Sequence, residues 1–145
     1  KQEPDRWARL ALPRGGLWVS PQDSALFHGA AQVMAGRPAG PIHVTGDAPE
    51  YAFLLERLSA SRVIYDVLAD STAKDERLVL PMLARSGVRT VILLNQFGMN
   101  DSLTIRQQRA LRREFTESRP LGRLVFDGRS FRHFVDVRWR ADSSR

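Results

Sequence analysis

Short apolar stretches and breaker residues divide the chain into blocks the length of single elements. Arg9–Leu12 and Leu17–Val19 flank Pro13-Arg14-Gly15-Gly16, a combination that predicts two strands around a turn. Leu26, Phe27, Ala30, Val33 and Met34 then recur at three- and four-residue steps, which predicts a helix from Pro21 to about Ala35. Ser20 stands at the N-cap of that helix, Pro21 at its first position and Asp23 in its first turn. Gly36-Arg37-Pro38-Ala39-Gly40-Pro41 ends it. Ile42–Thr45 reads as a short strand. Asp47 can cap the next helix, and Glu50 three residues later completes a capping-box spacing. That helix is predicted from Pro49 to about Leu58, with Tyr51, Leu54, Leu55 and Leu58 apolar.

The second half follows the same rhythm. Ser59–Ser61 reads as a loop and Arg62–Tyr65 as an extended stretch leading to Asp66. Thr72 can cap a helix from Ala73 to about Ser86, which Pro81 kinks or restarts and Gly87 closes. Val88–Leu94 is the most hydrophobic run, and its β-branched content predicts a central buried strand. A helix from Asp101 or Ser102 to about Ser118 buries Leu103, Ala110, Leu111 and Phe115, with Ile105 at its flank and Pro120 as its stop. Leu121–Phe126 and Phe131–Trp139 read as strands joined by Asp127-Gly128-Arg129-Ser130, a hairpin with Asp-Gly turn chemistry. Strands alternating with helices predict a three-layer α/β fold. Its sheet is mostly parallel or mixed, with helices on both faces and a C-terminal antiparallel hairpin. The expected organisation is a linker over 1–8, one domain over 9–139 and a polar tail over 140–145.

Composition narrows the picture. A chain of 145 residues has room for one core, and 43% hydrophobic with 26% charged residues excludes wholesale disorder. No apolar run reaches the ~18–20 residues needed to cross a bilayer. Cysteine is absent, which excludes disulfides, thiolate zinc sites and a cysteine nucleophile. The first residue is Lys1, not methionine, and the expectation is a processed chain or a domain cut from something longer.

Charge is unevenly placed. Residues 1–101 carry 11 basic and 11 acidic side chains, whereas residues 102–145 carry 11 arginines against 5 acids, so the net +6 lies wholly in the last third. Arg106, Arg109, Arg112 and Arg113 on the predicted last helix could meet anionic lipid or an acidic partner. The plainer reading is a solvated arginine-rich face, and nucleic-acid binding would rest on charge alone. His28, His43 and His133 show no metal-ligand spacing, and His43 reads as a hydrogen-bonded structural histidine. No glycine-rich phosphate loop or serine elbow is present, and no cofactor is expected. The acidic Asp47 and Glu50 would repel phosphate at the end of the Ile42–Thr45 strand. Arg57, Arg62, Tyr65 and Asp66 could clamp a phosphate or carboxylate, or could pair with neighbouring acids.

The segments GGLWVSPQDSALFHGAAQVM, GPIHVTGDAPEYAFLLERLSASRVIYDVL, LARSGVRTVILL and LGRLVFDGRSFRHFVDVR carry a resemblance. Their succession resembles the soluble C-terminal domain of bacterial polytopic membrane glycosyltransferases of the GT-C type. These are akin to dolichyl-phosphate-mannose–protein mannosyltransferases and lipid-A sugar transferases. Tyr51, Leu54, Arg57, Arg62, Tyr65 and Asp66 fall where the family has the same residue types. Ser59-Ala60-Ser61 replaces the family's Asn-Pro-Thr, and Val63-Ile64 is inserted. The resemblance implies a non-catalytic extracytoplasmic domain following a transmembrane region of the same polypeptide in the inner membrane. In that case the parent is a glycosyltransferase using a lipid-linked sugar, and catalytic acids lie upstream of Lys1. Asp47, Glu50, Tyr51, Arg57, Arg62, Tyr65 and Asp66 are the candidate ligand-binding residues. The alternative is a free-standing α/β domain that binds a small ligand at its strand ends.

Overall fold

Capping fixes where the first long helix begins. In the computed structural model, which describes residues 7–45, 48–60, 76–95, 102–122 and 134–141, α1 spans Pro21–Ala35. The Asp23 N–H donates to Ser20 Oγ at 3.1 Å while Ser20 Oγ donates to Asp23 Oδ2 at 2.7 Å. Before it, β1 (Ala8–Arg9) and β2 (Trp18–Val19) form an antiparallel ribbon, each shorter than the sequence predicts. Its turn depends on glycine: a Cβ at Gly15 would lie 2.3 Å from the Leu10 carbonyl oxygen.

The main sheet contains β3 (Ile42–Val44), β4 (Thr90–Asn95), β5 (Glu117–Pro120) and β6 (Phe134–Trp139) in the order β3-β4-β6-β5. β3 and β4 are parallel, whereas β6 runs antiparallel to both β4 and β5. Alternation along the strands divides the core in two. Ile42, Ile92, Leu94, Val135 and Val137 face α1 and α2 (Glu50–Leu54), meeting Leu26, Ala30, Met34, Tyr51 and Ala52. Val91 and Leu93 belong with Val79 and Leu83 of α3 (Glu76–Arg85) and with Leu111 of α4 (Ser102–Glu114) and Phe115 just beyond it. The chain is therefore an α/β protein with helices on both faces of a mixed sheet.

Several boundaries differ from the sequence expectation, each for a local reason. α2 stops at Leu54 because Glu56 turns left-handed at φ 54°, and the Arg57 N–H closes back on the Ala52 carbonyl at 3.0 Å. Its N-cap is Pro49, with no side-chain bond, so Glu50 opens the helix and does not complete a capping box. Ser59, expected in a loop, bridges Ile42 in parallel, with the Ile42 N–H donating to Leu58 O and the Ala60 N–H to Ile42 O, each at 2.9 Å. α4 ends at Glu114, and residues 117–120, read as helix and stop, form β5 instead. Proline is tolerated there because β5 is an edge strand. α3 runs through Pro81. The expected cap at Thr72, the extended stretch 62–65 and the hairpin turn 127–130 lie outside the described residues.

Candidate functional site

The chain segment at 58–60, β3 and β4 lie side by side in that spatial order, all parallel, while their order along the chain is β3, 58–60, β4. β3 thus lies between the segment that follows it and the strand after that, an order in which α/β proteins hold ligands beyond the carboxyl ends of the strands. Two buried polar side chains knit these ends. The Leu94 N–H donates to Thr45 Oγ1 at 3.0 Å, the Thr45 N–H donates to Ile92 O at 2.9 Å, and Gln108 Nε2 donates to Leu94 O at 2.8 Å. The periodicity of α4 gives no hint of this role, because Gln107 and Gln108 interrupt its apolar positions. A buried glutamine can cap a strand-end carbonyl that has no further ladder partner, and only the strand arrangement shows the need.

Of the residues singled out from sequence, Glu50 and Tyr51 meet at this end of the fold. Tyr51 is buried in the core, its ring centroid 4.7 Å from that of Phe27. Burial raises its hydroxyl pKa above the ordinary value, and the charges of Glu50 and Asp23 push the same way. Burial of part of the otherwise exposed Glu50 side chain raises its carboxyl pKa. A backbone hydrogen bond opposes the rise and the Asp23 carboxylate adds to it. The starts of α1 and α2 therefore bring Asp23 and Glu50 into electrostatic contact. The sequence reading assigned Asp23 to capping alone. The pair can accept hydrogen bonds from hydroxyl-bearing molecules and disfavours phosphate.

Arg57 has other work. Its guanidinium donates to the carbonyls of Pro38 at 3.1 Å, Met34 at 3.4 Å and Gly40 at 3.5 Å, tying the end of α1 to the loop before β3. Asp47, Arg62, Tyr65 and Asp66 lie outside the described residues. Arg106, Arg109, Arg112 and Arg113 are all exposed on α4, across the sheet from Glu50. His43 is buried as expected of a structural histidine, yet neither ring nitrogen has a hydrogen-bond partner among the described residues. Alternation sets it on the α3/α4 face beside Val91, and burial pushes its pKa down to about 4. No group of three or more metal-ligating side chains occurs among the described residues. No described helix is long and apolar enough to cross a membrane. Comparison with protein-family models, curated proteins and solved structures returns no match for this chain.

Proposed function

We propose that this chain is a non-catalytic α/β accessory domain of a polytopic membrane glycosyltransferase that uses a lipid-linked sugar donor. In this reading it sits on the extracytoplasmic side of the inner membrane and helps to hold acceptor or lipid head groups. One observation supports it most. The four segments that carry the resemblance share a single core cluster: Leu26, Ala30 and Met34 from the first, Ile42, Tyr51 and Ala52 from the second, Ile92 and Leu94 from the third, Val135 and Val137 from the fourth. A single domain built from all four is what the resemblance implies. Asp23 and Glu50 suit a sugar or another hydroxyl-rich group better than a phosphate, which fits a role beside the acceptor.

The coding sequence upstream of Lys1 tests the reading directly. Several hydrophobic spans in frame are expected, and a start codon a few residues away would overturn it. Deleting this domain from the parent should then lower transfer to the acceptor without abolishing donor binding.

The strand order favours one other reading, a free-standing domain binding a small ligand at the carboxyl ends of β3 and β4. Thermal melts with candidate hydroxyl-rich ligands separate the two, since a ligand that prefers the folded state must raise the midpoint.

A further inference from the structure

The β1–β2 ribbon leaves its largest side chains in water. Trp7 is 54% exposed, Leu17 61% and Trp18 64%, although the chain has a core in which such residues would normally be buried. Strand alternation puts Trp7 and Arg9 on one face, and the register sets Arg9 directly opposite Trp18 on that face. Arg14, in the turn, reaches the α2 side, where its guanidinium lies 5.2 Å from the Phe53 ring centroid and 3.6 Å from Glu56. Phe53 is itself exposed. From Trp7 to Ser20 the sequence holds two arginines and no acidic residue.

Two candidate occupants differ in what they require. The exposed parts of Trp7 and Trp18 amount to about 300 Å² on one face, given the surface of such side chains, while Leu17, next to Trp18 in the chain, turns to the other face. A stable dimer removes about 800 Å² per partner, of which about 450 Å² is apolar, so this patch is smaller than a second copy needs. Strands of two residues also offer little backbone for edge pairing. A bilayer interface sets no such threshold. Tryptophan is favoured there because its apolar ring meets acyl chains while its N–H stays with water and head groups. Nearby arginines are attracted by anionic lipid.

We propose that the β1–β2 ribbon anchors this domain to an anionic lipid surface, with Trp7 and Trp18 in the head-group boundary and Arg9, on the same face, among the phosphates. β1 packs with α1 and Arg14 reaches α2, so the arginines of α4 lie in the layer on the other side of the sheet. The inference goes beyond the glycosyltransferase reading and does not depend on it.

Vesicles of phosphatidylcholine with and without phosphatidylserine provide the test, using the whole chain. Sedimentation should show binding to the anionic vesicles and much weaker binding to neutral ones. Intrinsic fluorescence should shift to the blue, because two of the chain's three tryptophans are in the ribbon. A Trp7→Ser/Trp18→Ser variant should bind about a hundredfold more weakly, about tenfold for each ring withdrawn from the interface. A Trp7→Phe/Trp18→Phe variant should keep most of the binding, which separates lost anchoring from a lost fold. Replacing Arg106, Arg109, Arg112 and Arg113 by glutamine should leave binding largely intact. Absence of binding would overturn the proposal, as would binding indifferent to the tryptophans, binding abolished by the α4 changes, or a tryptophan-dependent dimer in ultracentrifugation. Vesicle binding combined with no upstream transmembrane region would remove the glycosyltransferase reading and leave the anchor standing.

Discussion

Lowering the pH from 7 to 5 should cost this fold about 2 kcal/mol through His43 alone. The native imidazole has its pKa depressed from 6.5 to about 4 by burial, so the folded protein resists a proton that the unfolded chain accepts. The contribution is fully present above the unfolded pKa. It is lost as pH falls through the interval down to the folded pKa, where the loss approaches about 3 kcal/mol. Marginal stability makes either figure visible. The perturbation is His43→Leu, which fills similar space beside Val91 and leaves no polar atom to desolvate. At pH 7 the variant should be within about 1 kcal/mol of the parent or above it, since the ring nitrogens have no hydrogen-bond partner among the described residues. Urea titrations at both pH values, for both proteins, provide the measurement. Glu50, with its raised carboxyl pKa, works in the opposite sense: its contribution is full below the unfolded pKa and lost as pH rises. That background is common to the two proteins and cancels in their difference. If His43→Leu loses as much stability as the parent between pH 7 and 5, the reasoning is wrong. The His43 ring titrating near 6.5 in NMR, its signals assigned by their loss in His43→Leu, would refute it independently.

The remaining predictions concern backbone and guanidinium roles. Gly87 closes α3 at φ 69° with open space where a Cβ would go, so Gly87→Ala should cost about 1 kcal/mol of purely conformational strain, read in urea melts. Glu56 performs the same left-handed closure for α2 without glycine's freedom, and Glu56→Gly should gain about 0.5 kcal/mol after the exposed pair with Arg14 is given up. Arg57→Ala should lose about 1–2 kcal/mol of thermal stability and Arg57→Lys should not restore it, because one ammonium cannot span three carbonyls. Arg138 pairs with Asp136 at 2.8 Å while donating to Phe115 O, and Arg138→Leu should cost about 2–3 kcal/mol. Adding Asp136→Leu should recover part of that loss in a double-mutant cycle, by removing a buried carboxylate left without its cation.

Elements defined by local chemistry were legible in the chain. The Ser20-Pro21-Gln22-Asp23 start of α1 carries its own caps, and the Val88–Leu94 run contains nearly all of β4 because a central strand must be apolar on both faces. What depended on distant partners was hidden. Residues 117–120 have no strand pattern, every one is exposed, and only pairing with β6 makes them β5. Glu56 shortens α2 by adopting a conformation its residue type disfavours, which no propensity announces. The acidic site was half visible. Glu50 was marked by its position after a strand, while the charge of Asp23 acts on it only because α1 and α2 share one face of the sheet. Arg57 looked like a ligand clamp since a guanidinium near strand ends reads alike whether it holds a guest or the protein's own carbonyls. The exposed tryptophans needed solvent accessibility, for in sequence Trp18 reads as ordinary strand filler.

The position of β6 bears on how the protein is made. The last strand in the chain occupies an inner place in the sheet, six residue pairs on its β4 side and four on its β5 side. Until Trp139 has left the ribosome, β4 presents a bare apolar edge and β5 has no partner among the described strands. A chain synthesised only as far as β5 can thus collapse but cannot close, and folding waits until β6 has emerged. A nascent chain stalled or truncated before β6 would display the strand edge that proteases and chaperones recognise, so β6 acts as a completeness check on the whole sheet.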